Sequence, residues 1–176
     1  MNSKKITLVS FRNFEKAFLK EISKTVQQEF GGDVFIKESY IDLSECYDAG
    51  RRQYNGNKIL KEINSMIIPG HKSIGLFNVD LFIPILTFIF GQAQLGGLTA
   101  IASIYRLKNE CYGMAKDEEL QMNRFKKVII HELGHTYGLT HCHLPSCVMR
   151  SGTYVEDLDQ KKQHFCTSCL QKLEDG

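Results

Sequence analysis

HELGHTYGLTHCHLPSC, from His131 to Cys147, puts four histidines and two cysteines into seventeen residues of a chain that has only six of each. His131 and His135 are four positions apart, so on a helix they stack on one face. That spacing lets both rings reach a single Zn²⁺ at about 2.0–2.1 Å. Glu132 projects from the neighbouring flank, placed to touch a metal-bound water without ligating the metal. Three residues after His135, Gly138 can adopt a positive φ and end the helix. The turn then carries His141 back to the same metal as a third nitrogen ligand. Three histidines leave a tetrahedral zinc with an open fourth position, the mark of a catalytic site. His143 is a rival third ligand, but its distance from Gly138 fits the spacing less well than that of His141.

Working outward, a long helix is expected over roughly 118–138. Met122, Phe125, Ile129 and Leu133 follow helical spacing and should face a sheet. His131 lies about 200° around the helix from Ile129, so the histidine face is expected to look away from the core stripe. Upstream, ITLVSF (6–11) and VFIKESYI (34–41) read as strands, with an amphipathic helix from Phe14 to Phe30 between them, closed by Gly31-Gly32. A polar loop (51–57) leads to a shorter helix carrying Ile59, Leu60, Ile63 and Ile67, stopped by Pro69-Gly70. KSIGLFNVDLFI (72–83), FIFGQAQ (88–94) and LTAIASIYRL (98–107) read as three further strands. The fold class expected is α+β: a mixed twisted sheet with right-handed crossovers and packed helices. At least one of the later strands should be antiparallel.

The chain's 176 residues can bury a substantial core, and 43% hydrophobic with 24% charged residues is an ordinary globular mix. The net charge is +2. Basic pairs such as Arg51-Arg52, Lys126-Lys127 and Lys161-Lys162 are scattered among acids and read as solvated surface. No concentrated basic stripe marks a nucleic-acid footprint. The most apolar run, LFIPILTFIF (81–90), holds Pro84 and is too short to span a bilayer. No secretory leader is visible, so the expected compartment is the cytoplasm. Four of the six cysteines, Cys142, Cys147, Cys166 and Cys169, fall in a C-x4-C and a C-x2-C pair, a grouping that in a reducing compartment suggests metal more than disulfides. Cys46 and Cys111 stand alone and read as buried thiols.

The extended histidine motif, followed by CVM (147–149) and CTSC (166–169), resembles the archaemetzincin family of metzincin zinc metallopeptidases. The gap before the last cysteine pair is one residue shorter than that family's pattern. The resemblance implies His131, His135 and His141 on a catalytic zinc, with Glu132 as general base. It implies Met149 in a tight turn beneath the metal, and the four cysteines on a second, structural zinc. Such a four-thiolate site would be closed to substrate, and it could supply folding energy to a short tail. One mixed histidine–cysteine site is the rival arrangement, and it closes the open position. The division implied is residues 1–141 as a metzincin-like catalytic subdomain and 142–176 as a small subdomain with the Met-turn and the four-cysteine zinc site.

The activity implied is peptide-bond hydrolysis of restricted specificity, since no pro-segment is visible to keep a cytoplasmic peptidase silent. The substrate-pairing edge strand is expected near Phe90 to Ala102, where Gly91, Gly96 and Gly97 either admit another backbone or form a hairpin turn. Tyr154 is a candidate oxyanion support, although its offset from Met149 does not match the expected one. The expected partner is a peptide or protein substrate, with neither nucleic acid nor membrane involved, and the chain is expected to be a monomer. Two other readings are a two-zinc binding or adaptor module and a zinc hydrolase of non-peptide amides.

Overall fold

Alternating apolar residues build the central layer. In a computed structural model, which describes residues 4–11 and 14–175, β1 (Lys5–Phe11), β2 (Asp33–Ser39), β5 (Lys72–Phe77), β8 (Gly91–Ala93) and β9 (Thr99–Ser103) form one sheet. Its order is β2-β1-β5-β9-β8. The first four strands run parallel and β8 is antiparallel to β9. Successive side chains point to opposite faces. Ile6, Leu8, Ile74, Leu76, Ala100 and Ala102 face one core, while Val9, Phe11, Phe77 and Ile101 face another.

α1 (Lys16–Phe30) and α3 (Glu118–Thr136) cover the first face, and α2 (Gly56–Asn64) covers the second. Ala100 and Ala102 are the small residues of β9 on the α3 side, which lets that helix lie close to the sheet. Asn55 caps α2 by accepting from the backbone N–H groups of Asn57 and Lys58.

The sequence-based strands at 72–83 and 88–94 each divide between two sheets. β6 (Leu81–Ile83) and β7 (Leu86–Ile89) join β3 (Tyr47–Asp48) and β4 (Gln53–Asn55) in a second sheet, ordered β3-β4-β6-β7. The chain leaves the large sheet after Phe77 because side chains take over its bonding. Ser103 Oγ accepts from Val79 N (3.1 Å) and donates to Val79 O (2.5 Å), and Arg106 pairs with both oxygens of Asp80. At the second break Phe90 is buried in the first core, and its carbonyl accepts from Ser103 N. The strand expected to reach 107 stops at Ser103, followed by a 3-10 turn.

From Arg124 to Thr136 α3 is buried nearly all round, so the histidine face, which looks away from the core stripe as expected, is covered as well. Phe125, Ile129 and Leu133 do meet the first core, while Met122 is only partly buried. The opposite side is covered by the segment after His141. Val148 and Met149 are fully buried, and so are the inner residues of α4 (Val155–Gln160) and α5 (Thr167–Asp175). Arg124 ties α4 to α3 through both oxygens of Asp159, at 2.8 and 2.6 Å. Cys46 is buried as expected, but Cys111 is exposed on a 3-10 turn. No helix among the described residues is long and apolar enough to cross a membrane.

Candidate active site and metal centres

α3 begins with Asp117, whose side chain accepts from Leu120 N, and places Glu118 and Glu119 at its positive end. It ends just past His135. Gly138 takes φ 86°, its N–H bonds to His135 O, and Leu139 N–H bonds to Gly134 O. These two bonds make a Schellman closure, which only a left-handed residue permits. The chain therefore reverses where the spacing of Gly138 indicated, and His141 returns to its two predecessors.

The three rings converge, with centroids 4.6, 5.3 and 5.0 Å apart. One nitrogen from each lies within 4.8 Å of the others, and His143 is not among them. His131 Nδ1 donates to Val148 O (2.9 Å) and His135 Nδ1 to Leu139 O (2.7 Å). Carbonyls only accept, so the ring protons sit on Nδ1. The two Nε2 atoms, 3.0 Å apart, therefore face each other as lone pairs. Burial holds both imidazoles below the usual 6.5, His131 well below it, which disfavours a proton between them. A metal ion resolves this conflict. Two nitrogens on a tetrahedral zinc stand about 3.3 Å apart, and carbonyl bonds behind the ligands are the usual support for metal-binding histidines.

Glu132 is buried beside His131 and against β8. A Cβ at Gly91 would stand 2.7 Å from Glu132 Cγ and 2.7 Å from Ile101 O, so the strand can approach only as glycine. Burial pushes the Glu132 carboxyl up to about 8, against an opposing pull from Lys161. Gly96 and Gly97 instead form the β8–β9 turn, where Gly96 N–H donates to His135 O. Gly96 and Gly97 thus take the hairpin-turn role, whereas Gly91 makes room for the Glu132 side chain. β8 is one edge of the large sheet, with β2 at the other, whereas β9 lies inside it.

A cavity of about 320 Å³ opens beside the histidines, lined in part by His131, Glu132, His135 and His141. Tyr154 does not line it and is 63% exposed. Met149 lies under α3, where a Cβ on Gly134 would meet its Sδ at 2.6 Å. Gly134 is thus a site residue hidden in a variable position of the histidine motif. Lys161 is a second residue that the sequence reading missed. It was expected on the solvated surface, yet it is 3% exposed and lines the cavity. Its ammonium donates to Val148 O (2.9 Å) and Arg150 O (2.8 Å). Nothing in a basic doublet distinguishes such a lysine from a solvated one.

The four cysteines of the tail gather within 4.8 Å. Cys142 and Cys166 sulfurs are 3.8 Å apart, and so are those of Cys147 and Cys169. These distances exceed a disulfide's ~2.05 Å and match the ~3.8 Å between sulfurs on a tetrahedral zinc. Leu144 N–H and Cys166 N–H point at the sulfurs of Cys142 and Cys147. The backbone N–H of Cys169 pulls the Cys166 thiol down to about 7, while burial pushes Cys147 and Cys169 up. Both ligand sets therefore fit zinc, one open and one closed. They meet in the chain itself, since Cys142 follows His141 and its N–H bonds to Met149 O (3.0 Å).

The sequence profile of peptidase family M54 matches residues 34–175. The archaemetzincin of Sulfolobus acidocaldarius is 35% identical over 173 residues, 96% of each chain. The crystal structure of the archaemetzincin from Methanopyrus kandleri superposes with a TM-score of 0.86 at 32% identity, over 98% of this chain and 94% of that one. A zinc-dependent peptidase from Methanocorpusculum labreanum gives 0.87 at 27% identity, over 96% and 99%. Shared in sequence and in fold over nearly its whole length, this chain belongs to peptidase family M54, the archaemetzincins.

Proposed function

We propose that the chain hydrolyses peptide bonds, with His131, His135 and His141 holding a catalytic zinc, Glu132 as general base and Met149 supporting the ligands from below. Cys142, Cys147, Cys166 and Cys169 hold a structural zinc. The observation that carries this reading is the pair of opposed Nε2 lone pairs beside a buried carboxyl, both on a cavity next to a sheet edge. Zinc bound there would supply Lewis acidity, polarising the scissile carbonyl and lowering the pKa of water toward about 7.

The protein's own groups do the rest. An extended peptide laid along β8 passes the histidines. Glu132 takes a proton from the attacking water, whose oxygen bonds to the acyl carbon. The same carboxyl passes the proton to the amide nitrogen as the C–N bond breaks, leaving a carboxylate and an amine. Burial makes Glu132 a stronger base than an exposed glutamate. Residues 1–141 thus supply the catalytic groups and 142–176 supply the support. We place the protein in the cytoplasm, consistent with six unpaired cysteines, and as a monomer that engages no nucleic acid. Family membership does not favour the adaptor alternative.

The test is cleavage of a diverse peptide library by protein loaded with zinc, beside Glu132→Ala. Expected are two zinc ions per reduced chain in both proteins, and cleavage by the native one alone. Equal cleavage by both, or one metal per fully loaded chain, contradicts the assignment.

A further inference from the structure

Among the described residues, Lys161 is a buried charge outside the proposed machinery. An ammonium carries three donors, and the Val148 and Arg150 carbonyls take two. Lys161 also lines the cavity. Among the cavity's lining residues Lys161 is the one lysine or arginine, and Glu132 is the one acid. They are held by different elements. Glu132 lies against Gly91 of β8, while Lys161 lies under the turn that carries Met149. Phe88, Phe90, Val128 and Leu158 supply apolar lining. The cavity therefore offers an incoming side chain an apolar passage with a cation beside it. Glu132 is the opposite charge whose field reaches Lys161, but the hydrogen bonds of Lys161 go to the two carbonyls, so its third donor is left for an incoming acceptor.

We propose that Lys161 sets substrate selectivity: the cavity takes an acidic side chain from a residue flanking the scissile bond, its carboxylate accepting from Lys161 Nζ. This rests on the peptidase reading above. A glutamine of the same shape fills the same walls but forgoes the charge-assisted bond, which is about twice as strong as a neutral one. The expected discrimination is about tenfold to a hundredfold. A basic side chain would bring two cations together away from water and is rejected.

The test takes a peptide that the zinc-loaded protein cleaves and remakes it with Glu or Gln on each side of the cleaved bond. On one side, Glu should exceed Gln in kcat/KM by about tenfold to a hundredfold. Lys161→Met should bring that ratio to within about threefold of unity. The ratio compares two substrates on one protein, so a general loss from a displaced turn divides out. Should Lys161→Met not fold, Lys161→Gln keeps donors for the two carbonyls without the charge.

A second arm measures binding of short peptides, with Glu or Gln at each position, to zinc-loaded Glu132→Gln protein by fluorescence anisotropy. At one position the Glu peptide should bind at least about fivefold tighter, and the Lys161→Met change should erase the difference. Equal handling of Glu and Gln by the native protein overturns the assignment of Lys161, as does a preference that survives in both neutral variants. Absence of any cleavage, with the binding preference intact, counts against the peptidase reading and supports the role of Lys161.

Discussion

Glu132→Gln should stabilise the protein when the histidine site is empty, although it removes the proposed base. An acid whose pKa rises on folding is held back from ionising, so the folded state loses stability as pH rises between the unfolded and folded values. For Glu132 those values are 4.5 and about 8. At about 1.4 kcal/mol per unit, the penalty is absent below pH 4.5. It is about 3 kcal/mol at pH 7, about 4 kcal/mol at pH 8 and about 5 kcal/mol well above it. A buried glutamine amide gives back about 1–3 kcal/mol, which leaves a gain of about 0–2 kcal/mol at pH 7. The slope is the cleaner signal, because the amide does not titrate. His131 and His135, held low by burial, oppose this trend below pH 6.5 in both proteins and cancel in the difference, which reads Glu132 together with its attraction to Lys161. The assay is urea unfolding followed by far-ultraviolet circular dichroism at pH 5, 6, 7 and 8. Zinc is kept on the cysteines and stripped from the histidines, with metal content verified. The stability difference should move toward Glu132→Gln by about 1.4 kcal/mol per pH unit. A difference that stays flat from pH 5 to 8, or one that favours the native protein more at higher pH, would refute the argument that burial governs this carboxyl.

Two further outcomes follow from packing. Gly134→Ala gains about 1 kcal/mol of helix propensity but drives a Cβ into Met149 Sδ, which is fully buried. The net should be a loss of about 0–2 kcal/mol, with faster zinc loss from the histidines in a chelator competition; unchanged zinc retention would count against it. Arg124→Ala leaves Asp159 unpaired and frees Leu107 O and Asn109 Oδ1. Asp159 keeps its contact with water, so the loss comes from the two orphaned oxygens and the missing side-chain packing: about 2–4 kcal/mol is expected by denaturant unfolding, and a loss under about 1 kcal/mol would show that α4 is held otherwise.

The histidine constellation was legible because its geometry is local. A four-residue spacing on a helix and a glycine at the closure leave His141 little freedom. The cysteine grouping was legible for a related reason, since two close pairs need only one turn of chain to meet. The sheet assignments of 72–94 were not legible. Alternation says that a residue is in a strand but not in which sheet, and the deciding groups, Ser103 and Arg106, lie 24 and 26 residues downstream of Val79 and Asp80, which they bind. The burial of the histidine face and of Lys161 was hidden for the same reason. The cover over α3 comes from Val148, Met149 and Leu158, and no periodicity within α3 foretells them.

The interleaving of the two ligand sets has a thermodynamic consequence. His141 and Cys142 share a peptide bond, and Val148, whose carbonyl steadies His131, follows Cys147. Ordering either set lowers the entropy that the other must lose. Linkage is reciprocal, so occupation of the cysteines should tighten the histidines' hold on zinc, and the reverse should hold by the same factor. Under zinc scarcity, fewer molecules would hold one ion alone than independent filling predicts. Activity across a zinc titration would rise more steeply than independent filling of two sites allows.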